Sequence, residues 1–367
     1  MADVPCPPSS DRGRLAALAF SLFAGIAAAQ AFDAVTPGRA IRFPGDAGAH
    51  PGHRIEWWYV TGQLESREGP LGFQVTFFRV RRPEGENNPS RFSPREVLFA
   101  HAAVADPRKG RLVHDQRIAR ALPPLVEARA GDTDVRIDDW SLTRESGTYR
   151  ARVPADGFAL ELSFSPTQPV LLQGERGFSR KAPSKGPGGG EAASYYYSEP
   201  QLRVTGQVVL DGRRVDATGV AWLDHEWSSE LLAAGAVGWD WIGANLDDGS
   251  AFMAFRMRGA NGEPIWAGAT IRAPGREARP LPAGAVGFVP RRSWTSPRTG
   301  TIYPVAMEIF LEGKAWRVEP LMDDQELDAR ASTGTLYWEG AVRVSGPAGE
   351  TGRGYLELTG YAERLPF

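Results

Sequence analysis

Two related stretches of the sequence decide the fold. The first reads Tyr197-Ser198-Glu199-Pro200-Gln201-Leu202-Arg203-Val204-Thr205-Gly206. The second reads Tyr337-Trp338-Glu339-Gly340-Ala341-Val342-Arg343-Val344-Ser345-Gly346. Each copy is followed by a second segment that ends on Thr-Gly, at Thr218-Gly219 and at Thr359-Gly360. Upstream of them, residues 57–64 resemble residues 239–246. Similar segments in the same order indicate that the chain contains an internal duplication.

Both halves of the chain have the residue pattern of antiparallel strands. Apolar residues alternate with polar or small ones over residues 158–164, and turn pairs such as Asp211-Gly212 recur along the chain. We therefore predict an all-β protein with two related domains, residues 40–232 and residues 233–367. Antiparallel sheets of this size protect their edges by stacking as sandwiches or by closing as barrels. A barrel of about eight strands can hold one small ligand.

The charge balance and the cysteine count exclude several protein classes. The 367-residue chain carries 42 Lys and Arg residues against 44 Asp and Glu residues, for a formal net charge of −2. This balance, with no basic arm, excludes a nucleic-acid-binding protein. The single cysteine, Cys6, excludes a disulfide framework and a cysteine-based zinc site.

The N-terminus has the pattern of a secretory signal peptide. Two arginines precede an apolar run over residues 15–29, and Ala29-Gln30-Ala31 supplies the small residues of a cleavage site near Ala31. We expect residues 1–31 to be removed and the mature chain to be secreted or periplasmic. A membrane anchor left in place is the alternative.

The segment Asp224-His225-Glu226-Trp227 holds the densest group of side chains able to do chemistry. On an extended strand, Asp224 and Glu226 point to one face while His225 and Trp227 point to the other. A histidine beside an indole offers a proton donor or acceptor next to an aromatic wall, which can hold an apolar substrate or stabilise a developing cation. The alternative is a hinge in which these polar residues bond one another.

Two aromatic segments are further candidates for a binding pocket. In Glu56-Trp57-Trp58-Tyr59 the two tryptophans point to opposite faces, and Glu56 shares a face with Trp58, so a carboxylate lies beside an indole. The segment Tyr195-Tyr196-Tyr197 opens the repeated hairpin and can present hydroxyl groups inward. Aromatic core packing, closed in the first segment by an ion pair, is the alternative interpretation.

Metal binding and serine-hydrolase chemistry have weak support in the sequence. His50, His53 and Glu56 have a His-x-x-His-x-x-Glu spacing, but on a strand or a Pro-Gly turn that spacing does not converge as it does on a helix. No Gly-x-Ser-x-Gly motif occurs. We predict no metal and no cofactor. The loop over residues 181–193 is predicted to be a surface flap, with a cavity mouth as one place it could cover.

The motifs together resemble those of the bacterial AttH-like proteins, across nearly the whole mature chain. The resemblance rests on Glu56-Trp57-Trp58-Tyr59 with Gly62, and on residues 177–179, 194–198, 222–227 and 320–327. This group is related to the hydroxyneurosporene synthases, or carotenoid 1,2-hydratases, and is described as predicted secreted hydrolases. The resemblance implies two tandem lipocalin-like (calycin-type) antiparallel β-barrels, a hydrophobic ligand in or between them, and an association with ABC-type export systems.

The hydratase branch of that group also implies site residues. By position, His225 and Trp227 match the histidine and tryptophan near the branch's proposed site. A second-domain strand of that branch supplies a tyrosine and an aspartate, whereas the corresponding stretch here reads Phe252-Met253-Ala254. The resemblance therefore leaves carotenoid hydration without its proton donor, unless Asp240 or Glu226 substitutes.

The sequence supports two functions for one ligand site, and a purely structural partner-binding module is a third option. The first is an envelope protein that binds a lipid or isoprenoid-like molecule, linked to an ABC transporter. The second is a cofactor-free hydratase or hydrolase that acts on such a molecule by acid–base chemistry. The predicted catalytic residues are Asp224, His225, Glu226 and Glu56. The predicted ligand-binding residues are Trp57, Trp58, Tyr59, Tyr196, Tyr197, Trp227, Trp239, Asp240 and Trp241.

Overall fold

The structure, a computed structural model, describes residues 32–82, 88–90, 92–184, 191–230 and 232–365. The signal peptide predicted over residues 1–31 lies outside these ranges, together with Cys6, and stays a prediction. Within the described ranges there is no α-helix, and therefore no helix with the length and apolarity of a membrane span. Two short 3₁₀ turns, Gly45–Ala47 and Ala283–Ala285, accompany the strands.

The first sheet is antiparallel and is built from the N-terminal thirteen strands. They are β1 (Ile55–Ser66), β2 (Gly69–Arg81), β3 (Glu96–Asp106), β4 (Arg111–Arg120), β5 (Val126–Ala128), β6 (Asp134–Ile137), β7 (Trp140–Glu145), β8 (Thr148–Ala155), β9 (Phe158–Ser165), β10 (Leu171–Leu172), β11 (Phe178–Arg180), β12 (Ala193–Leu210) and β13 (Arg213–Ser228). Their order is β4-β3-β2-β1-β13-β12-β9-β8-β7-β6-β5, and β10 and β11 pair with β12.

The second sheet is antiparallel and contains the remaining ten strands. They are β14 (Gly238–Leu246), β15 (Ala251–Arg258), β16 (Pro264–Arg272), β17 (Arg279–Leu281), β18 (Val286–Thr295), β19 (Ile302–Leu311), β20 (Lys314–Pro320), β21 (Glu326–Ala329), β22 (Thr335–Ser345) and β23 (Thr351–Leu358). Their order is β17-β16-β15-β14-β23-β22-β20-β19-β18, with β21 paired to β22. The predicted domain boundary, between residues 232 and 233, falls in the segment that joins β13 to β14.

Each sheet curls around its own apolar core. In the first sheet, the backbone N–H of Asp156 donates to the Asp115 carboxylate at 3.0 Å, which ties the turn after β8 to β4. In the second sheet, the Arg256 guanidinium on β15 donates to the Phe288 carbonyl on β18 at 3.0 Å. The predicted all-β class with two lipocalin-like antiparallel barrels is confirmed.

The two sheets pack against each other through their outer faces. The Gln63 amide of β1 donates to the Val342 carbonyl of β22 at 2.7 Å, and the Asn245 amide of β14 donates to the Ala221 carbonyl of β13 at 3.1 Å. Because side chains alternate along a strand, each strand of this wall sends every second residue into its barrel and the others toward the opposite sheet. The strands at this contact, which include β1, β13, β14 and β22, therefore contribute side chains both to a barrel core and to the space between the two sheets.

Candidate functional site

A largely apolar cavity of about 160 Å³ lies between the two sheets. A cavity of roughly this size admits a molecule as large as benzene. Aromatic rings and acidic groups from both sheets line it together. The aromatic residues are Trp57, Tyr59, Phe78, Phe99, Tyr196, Trp239, Trp241, Phe255 and Tyr337, and the acidic residues are Asp224, Glu226, Glu230, Glu339 and Glu357.

The alternation of β13 decides which of its polar residues reach the cavity. Asp224 and Glu226 face the cavity, while His225 and Trp227 face the core of the first barrel, as expected for an extended strand. The same alternation on β1 sends Trp57 to the cavity. Among the sequence-predicted residues, the structure brings together at the cavity Trp57, Tyr59, Tyr196, Asp224, Glu226, Trp239 and Trp241.

Glu339 and Glu357 form a pair of facing carboxyl groups in this cavity. They are direct cross-strand partners on β22 and β23, and both belong to the cavity lining. Glu339 is only 2 % exposed, and its Oε1 has no hydrogen-bond partner among the described residues. Two negative charges on facing cross-strand residues repel each other, so the pair retains a proton that isolated carboxyl groups would release.

Burial is the main cause of the raised pKa values of this pair. It raises the pKa of Glu339 well above the usual value, and the charge of Glu357 adds to the effect, while the nearby Tyr59 and Tyr337 side chains oppose it. Burial also raises the pKa of Glu357; the Trp239 side chain opposes this, and the charges of Asp224 and Glu226 reinforce it. The cavity therefore contains a carboxylic acid at neutral pH.

Asp224 is held by three donors on one side of the cavity. Its carboxylate accepts from the Tyr196 hydroxyl at 2.6 Å, from the Ser198 hydroxyl at 2.5 Å and from the Trp222 indole at 2.6 Å. The Trp241 indole in turn donates to the Tyr196 hydroxyl at 2.9 Å. Burial raises the pKa of Asp224 to about 7 against the effect of these donors. The network fixes the orientation of Tyr196 and of Asp224.

Lys181 brings the only lysine ammonium group among the described lining residues to the cavity. Its Nζ lies 2.7 Å from the Glu226 carboxylate, and 4.4 Å from the centre of the Phe255 ring. The Ser194 hydroxyl also donates to Glu226. Lys181 begins the loop predicted as a flap, so this end of the loop lies at the cavity, whereas residues 185–190 lie outside the described ranges.

The raised pKa of Glu357 predicts a pH dependence of stability. Its pKa rises from 4.5 to about 8, so between these values the folded protein binds a proton that the unfolded chain has released. The free energy of unfolding should then fall as the pH rises from 4.5 to 8, by at most about 1.4 kcal/mol per pH unit. Urea unfolding of the wild type and of Glu357→Gln across this range measures the difference, which cancels the titration of groups that do not interact with Glu357. Parallel pH profiles for the two proteins would contradict the assignment.

The interior of the first barrel holds a second polar cluster, separate from the cavity. Glu56 is fully buried, and its carboxylate accepts from His225 Nε2 at 2.8 Å and from Arg79 Nε at 3.0 Å. The hydrogen bonds of Glu56 to His225 and His50 hold its pKa well below its usual range despite its burial. The His225 ring stacks on Trp58 with the centroids 4.7 Å apart, and burial lowers its pKa. The predicted catalytic residues His225 and Glu56 therefore bond each other inside the barrel.

The expectation that His50, His53 and Glu56 do not converge is wrong for two of the three residues. His50 Nδ1 lies 2.7 Å from Glu56 Oε1, because a tight turn, in which the His53 N–H donates to the His50 carbonyl at 3.0 Å, folds His50 back over the start of β1. The ligand atoms of His50, Glu56 and His225 all lie within 4.8 Å of one another. Both histidines are hydrogen-bonded to the Glu56 carboxylate, which accounts for the convergence of the three groups.

The remaining predicted residues also lie inside the barrels. Trp58, Tyr197 and Trp227 belong to the core of the first barrel, and the Trp227 ring stacks on His50 at 3.7 Å between centroids. Asp240 is fully buried and pairs with Arg256 Nε at 2.5 Å and with Arg258 Nε at 3.0 Å. The structure therefore divides the sequence-predicted residues between the cavity and the two interiors.

Sequence reasoning missed the groups that the second sheet contributes to the cavity. Glu339 lies within the repeated stretch and shares its strand face with Tyr337, and Glu357 shares a face with Tyr355. His101 and Lys181 were missed as well. An acidic residue alternating with a tyrosine in an apolar strand was the available signal, but only the pairing of β22 with β23 places the two acids side by side.

A family model described as AttH-like matches residues 34–361. The chain belongs to the AttH-like family. No protein with a curated description matches this AttH-like chain.

Solved structures extend the AttH-like comparison. A crystal structure from Nitrosomonas europaea, described there as an AttH candidate, is 51 % identical, covers 90 % of this chain and 100 % of its own, and superposes with a TM-score of 0.83. Kievitone hydratase from Nectria haematococca is 14 % identical, with coverage of 91 % and 97 % and a TM-score of 0.67. CghA is 15 % identical, with coverage of 90 % and 96 % and a TM-score of 0.50. The last two show that the fold is shared.

Proposed function

We propose that this AttH-like protein is a cofactor-free hydratase that acts on an apolar, unsaturated molecule bound between the two barrels. The observation that carries this proposal is the carboxyl pair Glu339 and Glu357, which keeps a proton inside a cavity walled by aromatic rings. Adding water to an isolated double bond needs an acid, a surface that stabilises a cation, and a base. The cavity supplies all three from the side chains of this chain.

The proposed reaction balances without a cofactor. The Glu357 carboxylic acid gives its proton to one carbon of the double bond, and the other carbon becomes a cation. The indole faces of Trp57, Trp239 and Trp241 are available to stabilise that cation by cation–π attraction. A water molecule from solvent then forms a bond to the cation and loses one proton to the Glu357 carboxylate. This proton restores the acid, and the product is an alcohol.

The fold relationship supports the reaction class. Kievitone hydratase, whose structure is similar to that of this chain, has the same fold and is named as a hydratase. A lipid or isoprenoid-like substrate, a secreted or periplasmic location and a link to an ABC-type export system accompany this proposal as predictions. They rest on the N-terminal sequence pattern and on the family.

A ligand carrier without turnover is the second candidate function. Its support is the commitment of Asp224 and Glu226 to fixed partners: Asp224 accepts three hydrogen bonds, and Glu226 pairs with Lys181. Groups held by fixed partners in this way can position a ligand through hydrogen bonds and charge. The two candidates share the cavity and differ in whether the bound molecule changes.

Isotope labelling separates the two candidates. Protein purified from its source cells is extracted, and the molecule that copurifies is identified by mass spectrometry. That molecule is returned to the protein in ¹⁸O-labelled water. We expect ¹⁸O to enter it with the wild type and with Glu312→Gln, a control on the exposed turn between β19 and β20. A molecule that binds and is recovered without label would overturn the hydratase proposal in favour of the carrier.

A further inference from the structure

A chain of hydrogen bonds leaves the cavity at Tyr337 and ends at a groove on the surface. The Tyr337 hydroxyl lies 2.6 Å from His101 Nδ1, and His101 Nε2 lies 2.8 Å from the Ser332 hydroxyl. The Ser332 hydroxyl lies 2.6 Å from Gln116 Oε1. His101 is 1 % exposed, whereas Ser332 is partly exposed and Gln116 lines an open polar groove. The chain therefore joins Tyr337, a residue of the cavity lining, to solvent.

The direction of each hydrogen bond follows from its outer end. The Gln116 amide N–H₂ donates to the Asp328 carbonyl at 2.8 Å, so Gln116 Oε1 faces Ser332 and accepts its proton. The Ser332 oxygen is then left to accept from His101 Nε2–H. Burial lowers the pKa of His101 to about 3, so the ring is neutral and carries one N–H. His101 Nδ1 must accordingly accept from the Tyr337 hydroxyl.

The inner end of the chain, Tyr337, lies in the same cavity lining as the carboxyl pair. Tyr337 and Glu339 lie on the same face of β22, and each influences the pKa of the other. With its own proton committed to His101, the Tyr337 oxygen is free to accept a proton from the Glu339 carboxylic acid. Every donor from Tyr337 to Ser332 then points outward, which is the arrangement required for concerted proton transfer once Glu339 gives its proton to Tyr337.

We propose that Tyr337, His101 and Ser332 form a proton relay that exchanges the proton of the Glu339–Glu357 pair with solvent while the cavity is occupied. In the outward step, Glu339 gives a proton to Tyr337, Tyr337 to His101 Nδ1, and His101 Nε2 to Ser332. The Ser332 hydroxyl turns from Gln116 Oε1 and gives its own proton to a water molecule of the surface groove. His101 is left with its proton on Nδ1. The inward step runs the same transfers in reverse and restores the first tautomer. This role rests on the proposed acid function of the pair, and His101 acts as a positioning and relay residue.

Hydrogen–deuterium exchange of the buried carboxylic acid tests the relay without a substrate. The protein is mixed rapidly with D₂O, and the carboxylic-acid C=O band, assigned by its loss in Glu357→Gln and in Glu339→Gln, is followed by infrared spectroscopy. We expect exchange to be slower by about tenfold or more in His101→Phe and in Ser332→Ala. Ser332→Thr keeps the hydroxyl group and should exchange at the wild-type rate. His114→Gln, a histidine change outside the chain, should do the same.

The outcomes separate the relay from the acid itself. Absence of an assignable carboxylic-acid band in the wild type would remove the acid on which the proposed function depends. A band that exchanges at the wild-type rate in Ser332→Ala would overturn the relay alone, whatever His101→Phe does. Since Ser332 lies in a turn, its alanine variant keeps the test valid if His101→Phe fails to fold. Slow exchange in Ser332→Thr as well as Ser332→Ala would indicate disturbed packing and would also overturn the relay.

Discussion

Replacing Glu357 with glutamine should reduce turnover of the bound molecule by about 10²- to 10⁴-fold, because removing a positioned general acid costs this much. The amide keeps the shape of the side chain but holds no proton acidic enough to give to a double bond. The rate of ¹⁸O incorporation, measured with the molecule that copurifies, provides the readout.

The same variant should still bind the ligand. Trp57, Trp239 and Trp241 surround the cavity, so their fluorescence reports occupancy in the wild type and in Glu357→Gln alike. Binding that persists while turnover disappears would assign Glu357 to the chemical step. A turnover change of less than about threefold, with a matching result for Glu339→Gln, would show that the pair is not the acid.

Replacing Arg79 with methionine should lower the free energy of unfolding by about 3–5 kcal/mol, which is the usual cost of leaving a buried charge without its partner. Arg79 is 1 % exposed. Besides Glu56, it donates to Glu96 at 2.9 Å and to the carbonyls of His50 and His53 at 2.7 and 2.9 Å. Methionine fills a similar volume and satisfies none of these acceptors.

A matched surface variant controls for the loss of an arginine. Arg292 makes a bidentate pair with Asp323 at 2.8 Å, but both side chains are more than 40 % exposed. Arg292→Met should cost less than about 1 kcal/mol, since exposed pairs contribute little. Urea denaturation of both variants at pH 7 gives the comparison. Equal costs for the two variants would mean that the buried cluster does not stabilise the first barrel.

The fold could be read from the sequence because strands and duplications leave local signals. The repeat of residues 197–206 at residues 337–346 and the alternation near residue 160 correspond to strands β12, β22 and β9. Alternation also predicts which residues of one strand share a face, so Asp224 and Glu226 separate from His225 and Trp227 as expected. These properties depend on neighbours in sequence.

The site could be read only in part, because it is made by contacts between distant strands. Nothing in the sequence near Glu357 shows that Glu339 lies opposite it, or that Tyr337 meets His101 from the other sheet. The contact between His50 and Glu56, which a turn creates, could not be read from the local sequence either. Sequence reasoning therefore found the aromatic and acidic residues of β1, β13 and β14 and missed the acids of β22 and β23.

The strands shared by a barrel and the cavity have two alternating sets of positions, one that lines the cavity and one that fills the barrel core. On β13, changes at 224 and 226 alter the lining of the cavity, while changes at 225 and 227 alter the barrel core. Changes of the cavity lining can therefore be made at alternate positions without altering the side chains of the barrel core. A one-residue insertion within such a strand would exchange the two sets at once. The lineage should thus tolerate many substitutions along this wall and very few changes in its length.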